Sequence, residues 1–152
     1  MRQVDVNDLQ EHLPRMSRRV TAALQHVLRA EGVASFTVSV ALVDDRHIRR
    51  LNRRYLKHDY ATDALSFRLD DPAAGEALSG EIIVSAERAC AVAARRHADP
   101  EAELLLYAVH GCLHLVGYDD QAPRKARAMH AREAELLADL GYENVLGDLA
   151  DR

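Results

Sequence analysis

Two histidines four residues apart, His110 and His114, sit in the stretch HGCLHLVGYDD, residues 110–120. On a helix that spacing projects both imidazoles from one face, where they can share one ion. Zinc takes four ligands and a catalytic site leaves one position to water, so a third protein ligand is required. Gly117 lets the chain reverse after the helix and returns YDDQ toward the histidines. Asp120 or Asp119 then supplies a carboxylate oxygen. His130 is a weaker candidate, better suited to a solvent-facing position. The bland alternative is a packed helix in a chain that carries eight histidines. Against it, two imidazoles on an otherwise apolar helix need polar partners, and one ion satisfies both. A peptidase of the H-E-x-x-H type is disfavoured, because its general base would fall at Gly111, which has no side chain and instead permits close approach of backbone or substrate.

The helix that carries the pair is the clearest in the chain. DPEAELLLYAVHGCLHLVG begins with Asp99 as N-cap and Pro100 at the first helical position, and Gly117 stops it. Leu104, Leu105, Leu106, Val109, Leu113 and Leu115 make it apolar nearly all round, so it is buried on most sides. Cys112 lies about 200° around this helix from His110 and belongs to the core. A last helix is predicted from about Pro123 to Leu140, with Ala126, Met129, Leu136, Leu137 and Leu140 facing inward.

Upstream, RQVDV can form a short first strand, and apolar spacing from Val6 to about Ala30 favours helix, with Pro14 at a helix start and Gly32 at its end. SFTVSVALVD alternates as a strand, DDRHIRRLNRRYLKHD reads as a helix with Asp44 or Asp45 at its N-terminus, and TDALSFRL reads as a strand. DDPAAGEALSG reads as a loop, and EIIVSAE as a strand running into a helix from Arg88 to His97, with Glu81 at a solvent edge. The expected fold is α+β: a single domain, residues 1–152, with one small mixed sheet packed by about five helices and the histidine helix at its centre.

Composition bounds the rest. The 152 residues are 48% hydrophobic and 29% charged, as in an ordinary globular domain. A net charge of −4 argues against a protein that coats nucleic acid wholesale, yet Arg46, Arg49, Arg50, Arg53, Arg54 and Lys57 form a local basic strip. That strip is either a solvated helix face or a phosphate-contacting patch. Cys90 and Cys112 are too few and too separated for a disulfide framework, and neither a signal peptide nor a run long enough to span a membrane is present, so a cytoplasmic location is expected.

HGCLHLVGYDD resembles the signature of the YbeY endoribonuclease family, H-G-x-L-H-L-x-G-Y-D-H, and agrees at every fixed position except the last. LNRRYLKHDYATDALSF is similar to that family's L-N-x-x-Y-R-x-x-D-x-x-T-D-V-L-S-F stretch, and SGEIIVS to its G-D-I-x-I-S strand. The resemblance implies a zinc-dependent hydrolase that cuts single-stranded RNA, acts in 3′-end maturation of ribosomal RNA and in ribosome quality control, and works with the small ribosomal subunit and its proteins. It maps the first two metal ligands onto His110 and His114 and the third onto Asp120, with Asp119 or a water as alternatives. It also brings Thr62, Asp63 and Ser66 near the cleft, where they either bind substrate or cap a turn.

Two departures matter. The third histidine is replaced by Asp120, and the family's arginine after the tyrosine by Leu56. Two histidines and a carboxylate form a legitimate catalytic zinc set, with one positive charge fewer than three histidines, which makes manganese more competitive. At position 56 a phosphate clamp is missing, and Arg53 or Lys57 must substitute with different geometry. That loss also supports a rival reading, a non-catalytic ribosome-assembly factor whose metal is structural. Some other metal-dependent hydrolase on the same scaffold is a weaker third reading.

Overall fold

Alternation in FTVSVALV and LSGEIIVS puts Phe36, Val38, Val40 and Leu42, and Leu78, Ile82 and Val84, on one face of the sheet, where all are buried. The computed structural model describes residues 1–56 and 64–142, with residues 51–56 described as backbone alone. Its elements are β1 (Arg2–Asp8), α1 (Ser17–Ala30), β2 (Phe36–Val43), α2 (Asp45–Leu56), β3 (Ala64–Arg68), β4 (Leu78–Ser85), α3 (Ala86–Arg96), α4 (Pro100–Leu115) and α5 (Pro123–Asp139), with a 3-10 turn at Pro72–Ala74. The strands lie in the order β1-β2-β4-β3. β1, β2 and β4 are parallel, and β3 closes one edge antiparallel to β4. This is the expected small mixed sheet with five α-helices.

The central helix is α4, flanked by α1, α3 and α5 and laid across β3 and β4. Asp99 caps it by accepting from the backbone N–H of Glu101 at 3.0 Å, with Pro100 behind it. Gly111 is the contact point with the sheet: a Cβ there would stand 2.8 Å from Cγ2 of Ile82. The close approach that a glycine permits at this position is therefore helix to sheet. On the opposite face of the sheet, Ile48 of α2 seals a smaller cluster with Val43 and Leu65. No described helix is long and apolar enough to cross a membrane.

Two expectations are corrected. Helix does not begin at Val6, because that residue pairs with Val40 in β1, which continues to Asp8. Nor does Pro14 start a helix. Residues 9–16 are organised instead by buried Gln10, whose Oε1 accepts from the N–H groups of His12 and Leu13 while its Nε2 donates to the carbonyls of Leu13 and Pro14. Leu9, which a helix running from Val6 would count among its apolar residues, is exposed. The loop read from DDPAAGEALSG ends early, since Leu78 to Gly80 already belong to β4 and pair with β2.

Candidate metal centre

α4 is buried without interruption from Ala102 to Val109, and again at Gly111–Leu113 and Leu115. His110 and His114 break that pattern, with side chains 28% and 29% exposed. The turn after α4 is forced by Gly117, whose φ of 109° lies where side-chain-bearing residues are strained. The N–H of Tyr118 closes the turn by donating to the carbonyl of Leu113 at 3.0 Å. Asp120 then comes back over the histidines, with its Oδ2 3.6 Å from His110 Nε2 and 3.9 Å from His114 Nε2.

The other nitrogen of each ring is occupied. His114 Nδ1 lies 3.0 Å from the carbonyl oxygen of Tyr118, and His110 Nδ1 lies 2.5 Å from Oε1 of Glu133 on α5. A carbonyl and a carboxylate accept, so each Nδ1 carries the proton and each neutral ring presents its Nε2 lone pair. Those two lone pairs face each other at 3.0 Å beneath the Asp120 carboxylate. Three electron-rich atoms converging this closely repel one another unless a cation sits among them. A tetrahedral ion with bonds of about 2.0–2.1 Å separates its ligand atoms by about 3.3 Å, within the 3.0 to 3.9 Å spread found here. The donor set fits a divalent ion, and His110, His114 and Asp120 could hold it.

Asp119, the alternative ligand, is turned elsewhere. Its Oδ1 accepts from the N–H of Gln121 and its Oδ2 lies 3.3 Å from Lys125 Nζ, contacts that hold its carboxyl below the usual range. Cys112 is buried, and burial pushes its thiol up to about 12, as befits a core residue. His130 is half-buried and lines the same cavity as His110.

That cavity measures about 370 Å³. Arg88, Arg95 and Arg96 of α3 form one wall, while His110 and Asp120 stand at another. Ala64 of β3 lines it too, whereas Ser66, two residues on, is half-buried and is not among the described lining residues. Lys57, Thr62 and Asp63 lie outside the described residues, as do the side chains of Arg53 and Leu56. Of the basic strip on α2, Arg46, Arg49 and Arg50 are exposed.

Sequence reasoning missed Glu133 and Glu103, both buried acids beside the site. The signal was present: Glu133 falls in the inward stripe of Met129, Leu136 and Leu137, and Glu103 lies on the same side of α4 as His110.

A family model described as Endoribonuclease YbeY matches residues 3–141. An Endoribonuclease YbeY of Anaeromyxobacter dehalogenans is 43% identical over 122 residues, which cover 80% of this chain and 63% of that protein. The chain thus spans less than two thirds of that relative's length. One from Carboxydothermus hydrogenoformans is 39% identical over 124 residues, covering 82% of this chain and 85% of that protein. A solution structure of a Thermotoga maritima protein shares the fold, with a TM-score of 0.64 at 21% identity and coverage of 95% and 96% of the two chains. With the family match running through β1, the sheet and the histidine helix to the end of α5, the chain belongs to the Endoribonuclease YbeY family.

Proposed function

We propose that this chain is a metal-dependent endoribonuclease that cuts single-stranded RNA at the His110–His114–Asp120 site, in the 3′-end maturation of ribosomal RNA and ribosome quality control, in the cytoplasm and on the small ribosomal subunit. The observation that carries this reading is the convergence of three lone-pair atoms at the edge of a cavity walled by arginines, in a member of this family. A zinc ion bound there would supply an acidified water and a Lewis acid for a phosphoryl oxygen, and the carboxylate of Asp120 leaves the site open to manganese. Glu133 and the Tyr118 carbonyl fix the imidazole tautomers so that both Nε2 atoms stay available. Asp120 is 41% exposed, so the site opens to solvent on its side and a strand can reach it. Substrate-binding roles for Arg53, Lys57, Asp63 and Ser66 belong to the same proposal.

The test is cleavage of a labelled single-stranded oligoribonucleotide by protein reloaded with zinc or manganese, alongside His114→Ala. Loss of cleavage together with loss of metal supports the reading, and equal cleavage by the two proteins contradicts it. A second reading, a ribosome-assembly factor with a structural metal, is favoured by Leu56 in place of the arginine that the family resemblance implies. It predicts a metal-loaded protein that binds ribosomal RNA and leaves it intact.

A further inference from the structure

The structure points to an ion pair behind the two histidines: we infer that Glu31 and Arg132 are positioning residues, holding in place the two acceptors, Glu133 and the Tyr118 carbonyl, that orient the imidazoles. The inference rests on the metal reading for what the oriented rings bind. Glu31 stands at the C-cap of α1, against the negative end of that helix's dipole, where a carboxylate is unfavourable. Its side chain is only 14% exposed. A carboxylate so placed needs a cation, and α5 supplies one. Arg132 Nε donates to Glu31 Oε2 at 3.0 Å, and Arg132 Nη2 lies 2.9 Å from the same oxygen. The same guanidinium donates to Glu135 Oε2 at 2.9 Å and to the Ala30 carbonyl at 3.5 Å, so its planar fork is held on several sides.

This pair fixes what apolar packing leaves loose. α5 has no side-chain cap at its N-terminus, and its inward anchors Met129, Leu136 and Leu137 are apolar, a contact without direction. Arg132 directly precedes Glu133 and projects about 100° away from it around the helix. Arg132 grips the end of α1 while Glu133 meets His110 Nδ1 on α4. A slide of one residue along α5 would carry Glu133 by about 1.5 Å, enough to break that bond. Tyr118 joins the cluster from the turn after α4. Its ring packs against the core, and burial, then the Glu31 carboxylate beside it, hold its phenol above the ordinary range. Its carbonyl accepts from His114 Nδ1 at 3.0 Å. One ion pair therefore stands behind both rings, through α5 for His110 and through the turn for His114.

A competing role is a plain tether between α1 and α5, which predicts a loss of stability alone. The same two helices carry another tie, His26 Nε2 to Asp139 Oδ2 at 2.9 Å. That tie involves neither acceptor and serves as the control.

The experiment compares the parent with E31A, R132M, E31Q and D139N, each with its melting temperature measured. Zinc affinity is read by competition with a chromophoric chelator. The Nδ1–H signals of His110 and His114 are read by nitrogen-edited NMR of metal-free protein. Expected is about tenfold weaker zinc binding by E31A and R132M, the low end of what loss of a direct partner to a metal-bound histidine costs, with both Nδ1–H signals lost to exchange. E31Q keeps an oxygen for the Arg132 fork and binds zinc within a few-fold of the parent. D139N keeps both signals and the parent's affinity. Parent-like signals and affinity in E31A, with only a lowered melting temperature, overturn the inference in favour of the tether. Equal weakening by D139N overturns it too. Signals lost in E31A but present in a parent that binds no zinc uphold the positioning and remove the metal reading instead.

Discussion

His110 Nε2 and His114 Nε2 face each other at 3.0 Å because Glu133 and the Tyr118 carbonyl each hold the opposite nitrogen of one ring. The two imidazoles come from α4, but their orientation is set by α5 and by the turn that follows α4. A metal centre of this kind depends as much on the acceptors behind the rings as on the rings themselves.

Glu133→Ala should therefore weaken metal binding by about 10–100-fold without touching a ligand. Glu133→Gln keeps a carbonyl oxygen for His110 Nδ1–H and should retain most of the affinity. Competition against a chromophoric zinc chelator reads both values. Equal affinity in the alanine variant and the parent would show that His110 needs no partner.

Asp120→His supplies the imidazole that the family signature carries at this position. The site gains one positive charge and a softer ligand, so its preference should shift from manganese toward zinc. Paired titrations with the two metals check the ratio. A ratio unchanged from the parent would mean that Asp120 does not touch the ion.

Much of this arrangement was legible in the sequence, and the reasons are local. The i, i+4 histidines, the Asp99–Pro100 start and the Gly117 stop are governed by neighbours in the chain, and each stands where expected. β2 and α4 were equally plain, because their periodicity is long and clean. β1 beyond Val6 was misread, since pairing with β2, not spacing in the chain, decides it. Glu133 was missed because a glutamate on a helix ordinarily reads as a solvated side chain, and only its three-dimensional partner, 23 positions away, gives it a role.

Gly111→Ala tests the packing that seats α4. The added Cβ would stand 2.8 Å from Ile82 Cγ2, on a β-branched side chain that is fully buried. Overpacking of this kind costs about 1–3 kcal/mol, and the better helix propensity of alanine offsets up to ~1 kcal/mol of it. The melting temperature should fall by a few degrees, at about 2–4 °C per kcal/mol for a chain of this size. A rise would mean that α4 shifts freely on the sheet.

Asp70 makes stability pH-dependent at a place away from the histidine pair. The Arg68 guanidinium, at 3.0 Å, and the Ser79 N–H hold its carboxyl below the usual range. A carboxyl depressed in the folded state contributes stability above its unfolded value, near 3.9, and loses that contribution as pH falls through the folded value. Asp70→Asn should therefore melt below the parent at pH 7, with the gap closing under acid conditions. A gap that stays constant down to pH 3 would remove the ion pair as its cause.

The central claim is that one divalent ion sits among His110 Nε2, His114 Nε2 and Asp120. An anomalous-difference map from crystals grown with zinc tests it most directly. The account predicts a single peak about 2.0–2.2 Å from both Nε2 atoms and from one carboxylate oxygen of Asp120. A peak ligated by Asp119 instead, or no peak between the two histidines at saturating zinc, would contradict it.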